Sequence, residues 1–146
     1  MIGASNARPE DIGHAEAAGT RLAELGAILV TGGRGGVMEA ACRGAKQAGG
    51  QTVGILPGLD RSDANEFVDV GLPTGLGEMR NGLVARAAES VVAIGGAWGT
   101  LTEIAFARAA GKPVFGVGTW ELGEDGVVAV GSGEEAAERA VASIRL

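Results

Sequence analysis

The sequence predicts an α/β fold: three layers, doubly wound in the Rossmann-like manner, around a mostly parallel sheet. Three observations point to it. Short apolar runs alternate with longer segments of helical period along the whole chain. The runs are nearly continuous in apolar residues, as strands covered on both faces require. Many of the 27 glycines directly follow such a run, where a strand would turn into a helix. Strand–helix–strand units of this kind are right-handed, so helices cover both faces and ligands bind beyond the carboxyl ends of the strands.

In chain order, "MIGAS" is a short first strand running into a glycine turn. Only Met1 and Ile2 precede that glycine, so the strand is either curtailed or begins upstream. A helix follows over 9–26: Ile12, Ala15, Ala18, Leu22 and Leu25 form its apolar stripe, Pro9 opens it and Gly26 ends it. "AILVTGG" is a strand, "GVMEAACRGAKQAGG" a helix and "QTVGILP" a strand. The polar, turn-rich 58–66 is a loop, and "FVDVG" over 67–71 is a short strand. A helix is expected over 75–89, a strand over 90–96, a helix over 99–111 and a strand over 112–118. The loop 119–126, a last strand over 127–131 and a final helix over 133–146 complete the pattern. Neither repeats nor linkers interrupt it, so residues 1–146 are expected to be one Rossmann-like domain that binds a nucleotide or phosphate.

Composition narrows the function. The net charge of −6, without a basic stripe, disfavours nucleic acid as a partner. No apolar stretch is long enough to cross a membrane, and no basic-then-apolar leader is visible. Cys42 is the only cysteine, which leaves no disulfide framework or cysteine-based metal cluster and suits a reducing cytoplasm. No metal site is expected. Cys42, among alanines, reads as a small core residue, and His14 as a solvated one.

The residues that could carry chemistry sit in two glycine-rich loops at strand ends, "TGGRGGVM" (31–38) and "IGGAWGTLTE" (94–103). In each, glycines let the backbone approach a ligand, and a helix follows whose free N–H groups and dipole favour an anion. Candidate contacts are Gly3 and Ser5 after the first strand, Gly32, Gly33, Gly35, Gly36 and Met38 in the first loop, and Gly95, Gly96, Trp98, Gly99 and Thr100 in the second. Neither loop has the Gly-Lys-Ser/Thr of a P-loop or the dinucleotide fingerprint. Ordinary turn chemistry is the competing explanation. Glu103 has two readings. "TLTE" is a capping box in which Glu103 would fold back to the N–H of Thr100. Alternatively its carboxylate acts beside the phosphate loop, as a base or cation stabiliser. Arg80, in "GEMRNG", can pair a phosphate bidentately or simply cover a helix, and Asn81 is a polar contact or a helix-start residue. Trp98 either stacks on a ligand ring or packs on the next element, and Arg34 either guards an anion site or faces solvent.

Taken together, "TGGRGGVMEAA", "GEMRN" and "GGAWGTLTE" resemble, in order and spacing, the LOG-like superfamily (lysine decarboxylase-like, or SLOG), from about Gly3 to the chain end. Better-known members hydrolyse the N-glycosidic bond of cytokinin nucleoside 5′-monophosphates. Gly95, Gly96, Gly99, Thr100 and Glu103 match their Pro-Gly-Gly-x-Gly-Thr-x-x-Glu loop, with Ile94 in place of the proline. Arg80 matches their catalytic arginine in Met-His-x-Arg-Lys, with Gly77, Glu78 and Asn81 in place of Met, His and Lys. The resemblance therefore implies Arg80 and Glu103 as catalytic residues and no required cofactor. The Arg–Asn form is more similar to a compact single-domain branch, the molybdenum cofactor carrier proteins, whose cargo is a phosphorylated pterin. The resemblance also implies a homodimer or larger assembly, with the helix at 76–89 contributing. Pyridoxal chemistry, which needs a Schiff-base lysine, is the least favoured reading, because only Lys46 and Lys112 exist and neither is placed for it. The main expectation is a nucleoside 5′-monophosphate phosphoribohydrolase; the alternative is a non-catalytic carrier or sensor of a phosphorylated cofactor such as the molybdenum cofactor.

Overall fold

A computed structural model describes residues 1–123 and 125–144. Its strands are β1 (Ile2–Gly3), β2 (Leu29–Thr31), β3 (Thr52–Leu56), β4 (Val70–Pro73), β5 (Val91–Ile94), β6 (Val114–Val117) and β7 (Val128–Ala129). Its helices are α1 (Pro9–Glu24), α2 (Val37–Gln47), α3 (Asn81–Ala87), α4 (Trp98–Ala109) and α5 (Gly133–Ile144). Every strand pair is parallel. One ladder runs β2-β3-β4 and the other β1-β5-β6-β7. They meet side by side where the Met1 ammonium donates to the Val30 carbonyl at 2.9 Å. The chain thus winds outward from β1 first in one direction and then in the other. That reversal is the topological switch point at which open α/β sheets hold ligands.

Side-chain alternation along the buried strands builds a core on each face. Val92, Ile94, Phe115 and Val117 pack with α1, α2 and α5. Val91, Ala93 and Val114 point the other way, with Ile104 and Ala107 of α4 and Val84 of α3. The result is the three-layer Rossmann-like architecture expected from the runs. Helical glycines tighten the first of these layers. A Cβ on Gly19 would stand 2.0 Å from the Ala41 carbonyl oxygen, and one on Gly44 2.1 Å from that of Glu16. So α1 and α2 touch backbone to backbone, which only glycine permits.

Three elements depart most from the sequence expectation. The strand expected over 67–71 forms instead at Val70–Pro73. Phe67 and Val68 pack against the core rather than pairing in the sheet, and the Asp69 carboxylate accepts from the Thr52 N–H. As an edge strand, β4 tolerates Pro73. The helix expected over 75–89 is split into a 3-10 turn, Gly77–Arg80, and α3. It ends at Ala87, where the Lys112 ammonium reaches the carbonyls of Ala85, Arg86 and Ala88. The last strand is only two residues long. Of the expected final helix 133–146, residues 145 and 146 lie outside the described residues, as does Glu124 of the loop 119–126. No helix among the described residues is long and apolar enough to cross a membrane.

Candidate functional site

Each strand of the switch point delivers a loop to one crevice of about 320 Å³ at the carboxyl edge of the sheet. Gly3, Ala4 and Ser5 come from β1, Arg34 and Met38 from β2–α2, and Pro57 from β3. Ala97, Gly99, Thr100 and Glu103 come from β5–α4, and Glu78, Arg80 and Asn81 from the 3-10 turn and the start of α3. A larger cavity, about 630 Å³, opens at the other end of the strands. Its walls are mainly Leu, Ile, Val and Ala side chains, and only the chain terminus and Glu89 bring charge. Convergent polar chemistry lies in the smaller one.

The two loops are held differently. In the β2–α2 loop the Thr31 hydroxyl accepts from the Gly33 N–H at 2.9 Å, and the Asn65 amide donates to the Arg34 carbonyl at 2.9 Å. Neither α2, which starts from Gly36, nor α4, which starts from Ala97, has a side chain capping its first turn. The helix α4 begins earlier than the sequence suggests, at Trp98. That placement corrects the capping-box expectation. Thr100, not Glu103, folds back, with its hydroxyl accepting from the Ala97 N–H at 3.4 Å. Glu103 lies one turn further on and is free to point into the crevice.

Glu103 is 6% exposed and Arg80 8%. Their charged groups approach to 4.0 Å, an ion-pair distance without a hydrogen bond. Burial pushes the Glu103 carboxyl up from 4.5 to about 7, against the pull of Arg80 and of the Met1 ammonium. Burial also lowers the Arg80 guanidinium from its ordinary value. Arg80 donates to the Asn81 side-chain oxygen and, at 3.3 Å, to the Gly32 carbonyl. Its Nε is buried without a partner. A buried guanidinium with an unmet donor has hydrogen-bonding capacity that an anion could satisfy.

Of the residues expected at the site, Gly3, Ser5, Met38, Arg80, Asn81, Gly99, Thr100 and Glu103 converge on the crevice. Gly32, Gly33, Gly35, Gly36, Gly95, Gly96 and Trp98 lie outside its lining. Gly32 packs under the Arg80 guanidinium, Gly95 against Asp11, and Gly96 beneath the Trp120 indole. Trp98 is 74% exposed and turns toward Trp120, their ring centroids 5.1 Å apart. Ala4, Arg34, Pro57, Glu78 and Ala97 complete the wall. Pro57 and Ala97 carry no chemical signature, but Pro57 directly follows an apolar run and Ala97 stands two glycines beyond one, where the carboxyl-edge rule places ligands. Both lysines are engaged elsewhere, Lys46 with Asp69 and Lys112 at the end of α3.

Residues 1–143 match the SLOG cluster4 family. The chain belongs to that family. A curated relative from Archaeoglobus fulgidus, an uncharacterised protein, is 40% identical over 78% of this chain and 75% of its own length. Among solved structures, the molybdenum cofactor binding protein of Rippkaea orientalis superposes with a TM-score of 0.91 at 35% identity, over 98% of this chain and 94% of that one. The molybdenum cofactor carrier protein of Chlamydomonas reinhardtii gives 0.85 at 35% identity, over 97% and 94%. DNA processing protein A of Streptococcus pneumoniae, with a TM-score of 0.76 at 19% identity over 99% of this chain and 60% of that one, shares the fold alone. Similarity to the binding and carrier proteins thus spans nearly the whole chain, and it favours the carrier alternative over the hydrolase expectation.

Proposed function

We propose that this SLOG-family chain is a carrier that holds a phosphorylated pterin of the molybdenum cofactor class, as cargo, in the crevice at the switch point. The observation that carries the reading is the buried Arg80 guanidinium, with an unpartnered Nε, beside the uncapped start of α4. Backbone N–H groups at that start and a bidentate guanidinium together suit a phosphate monoester. The full-length likeness to cofactor binding and carrier proteins supports the pterin as the rest of the ligand. In this role the protein's work is to bind, orient and shield; Glu103 is a mostly buried acid that need not react. The test is thermal unfolding with and without phosphorylated pterin cofactor. At a hundredfold excess over Kd, stabilisation of about 2.7 kcal/mol is expected, and Arg80→Gln should weaken binding at least tenfold. No shift in the folded wild-type protein refutes the carrier.

A second reading, hydrolysis of a nucleoside 5′-monophosphate, rests on one specific observation: a carboxyl titrating near neutrality within 4.0 Å of Arg80. Release of ribose 5-phosphate that disappears in Glu103→Gln would establish it. Under either reading we propose self-association through the face that bears Leu76, Met79, Leu83 and Phe106, all exposed apolar side chains around the Arg80 turn. Light scattering reading a monomer would remove that proposal. Absence of nucleic acid from the site is likewise a proposal, drawn from the net charge of −6; salt-dependent binding of single-stranded DNA would overturn it.

A further inference from the structure

At its amino edge the middle of the sheet is paired on one side only. Strand β5 pairs with β6 over all four residues, Val91–Ile94, but with β1 only at Ala93 and Ile94. Strand β2 pairs with β3 over Leu29–Thr31, and on its other side the Met1 nitrogen reaches the Val30 carbonyl. The cavity of about 630 Å³ lies between these half-paired stretches of β2 and β5.

Main-chain groups face it. In a parallel ladder the N–H and C=O of one residue serve the same neighbour, and successive residues alternate. Val30 faces the cavity side, since its carbonyl accepts from Met1. Val91 donates to the Pro113 carbonyl on the β6 side, so Val92 faces the cavity side too. The side chains follow the same alternation. Met1 packs with Leu22, Leu29 and Val141 in one core, and Ile2 with Val30, Val91 and Ala88 in the other. Because Ile2 is in register with Ala93, a residue joined to the Met1 nitrogen would stand opposite Val91 and turn its side chain toward Val30 and Ala88. The residue before that would face Leu22, Leu29 and Val141.

The Met1 ammonium is a second, independent observation. Met1 is 6% exposed, and burial pushes its ammonium down from 8.0 to about 6. A neutral peptide N–H would make the same bond to the Val30 carbonyl without the cost of desolvating a charge.

We propose that this cavity is a strand slot, in which an extended apolar segment of about three residues, joined to the Met1 nitrogen, continues β1 between β2 and β5. The length follows from the walls, which reach back through Ile28 on one side and Glu89 on the other. Two half-paired strands offer rows of main-chain groups that an extended polypeptide matches. The segment is apolar because both of its faces would be covered. The slot lies at the opposite edge from the cargo crevice and does not depend on the carrier reading.

The test compares the chain beginning at Met1 with two versions extended before Met1, one by Val-Ile-Val and one by Gly-Ser-Gly. The Val-Ile-Val version should raise the urea midpoint and slow hydrogen exchange of the Val30 and Val92 amides by about tenfold or more. An unchanged or lower midpoint, or unchanged exchange at those two amides, overturns the inference. Equal effects from Gly-Ser-Gly also overturn it, because they would trace the gain to the lost charge and not to an apolar strand. Free acetyl-Val-Ile-Val-amide that protects the same amides in the chain beginning at Met1 would assign the slot to a strand from another molecule, and the covalent continuation would fall.

Discussion

The two glycine-rich loops look alike in sequence and do different work in the structure. In the β2–α2 loop most of the glycine is consumed by packing. Gly36 has φ +62° and ψ −127°, a conformation essentially confined to glycine, and a Cβ there would stand 2.3 Å from the Ala4 carbonyl oxygen. In the β5–α4 loop, Gly95 and Gly96 are similarly occupied, by Asp11 and Trp120. Gly99 is not: a Cβ there would meet only the Asn81 amide, at an ordinary 3.5 Å. Gly35 is the counterpart in the first loop, with nothing nearer than 3.9 Å. A glycine forced by its own protein explains a turn. Of Gly35 and Gly99 only Gly99 lines the crevice, and a glycine with room for a side chain there is better explained by what must come close to it from outside. The loops differ in their carboxylates too. Glu39, in the first turn of α2, remains half-exposed, whereas Glu103 is buried beside Arg80.

Three substitutions sharpen the contrast. The largest effect is expected from Gly36→Ala, which combines a forbidden backbone conformation with a backbone clash. It should cost about 3 kcal/mol or more, read as a lowered urea midpoint. A midpoint near that of the wild type would mean that this loop can relax and that its glycines are not structural.

Next is Glu103→Gln, followed against pH. Glu103 is raised from 4.5 unfolded to about 7 folded. Between those values the folded protein keeps a proton that the unfolded chain has lost. Wild-type stability therefore falls as pH rises through the window and levels off above it. Relative to Glu103→Gln, the wild type should lose about 3 kcal/mol between pH 4 and 8. The Met1 ammonium, lowered from 8.0 to about 6, works in the opposite sense, adding stability as pH rises from about 6 to 8. It does so in both proteins, so most of its contribution cancels in the difference. Parallel pH curves would show that Glu103 is not held as a buried acid.

The smallest effect on stability belongs to Gly99→Ala. Alanine in the first turn of α4 should change stability by less than about 1 kcal/mol, in the favourable direction if at all. Affinity for the phosphorylated ligand should nevertheless fall about tenfold, because the methyl group stands where the ligand approaches. Loss of stability without loss of affinity would return Gly99 to turn chemistry and dissolve the contrast between the loops.

Much of the fold could be read from the residues. Runs such as "SVVAIGG" followed by "GTLTEIAFARAAG" read as a strand and then a helix, and their alternation along the chain implies a parallel sheet with its site at the carboxyl edge. Arg80 and Glu103 stood out because their types and spacing have a chemical use. Elements that depend on a distant partner were not legible. Because α4 begins at Trp98, two residues before Thr100, it is Thr100 and not Glu103 that folds back to the N–H of the N-cap residue, Ala97. Both β4 and the end of α3 were displaced by contacts from Asp69 and Lys112 that no local pattern announces.

By itself the sequence determined the layered α/β architecture, the two anion-friendly loops and the pairing of an arginine with a carboxylate as candidates, because periodicity and residue chemistry are local properties. Only the tertiary structure decided which glycines are free, that Glu103 is a buried acid rather than a cap, and that Arg34 and Arg80 face one crevice from different loops. Those facts depend on burial and on through-space distance between segments far apart in the chain, and electrostatic interactions are set by such distances rather than by sequence separation.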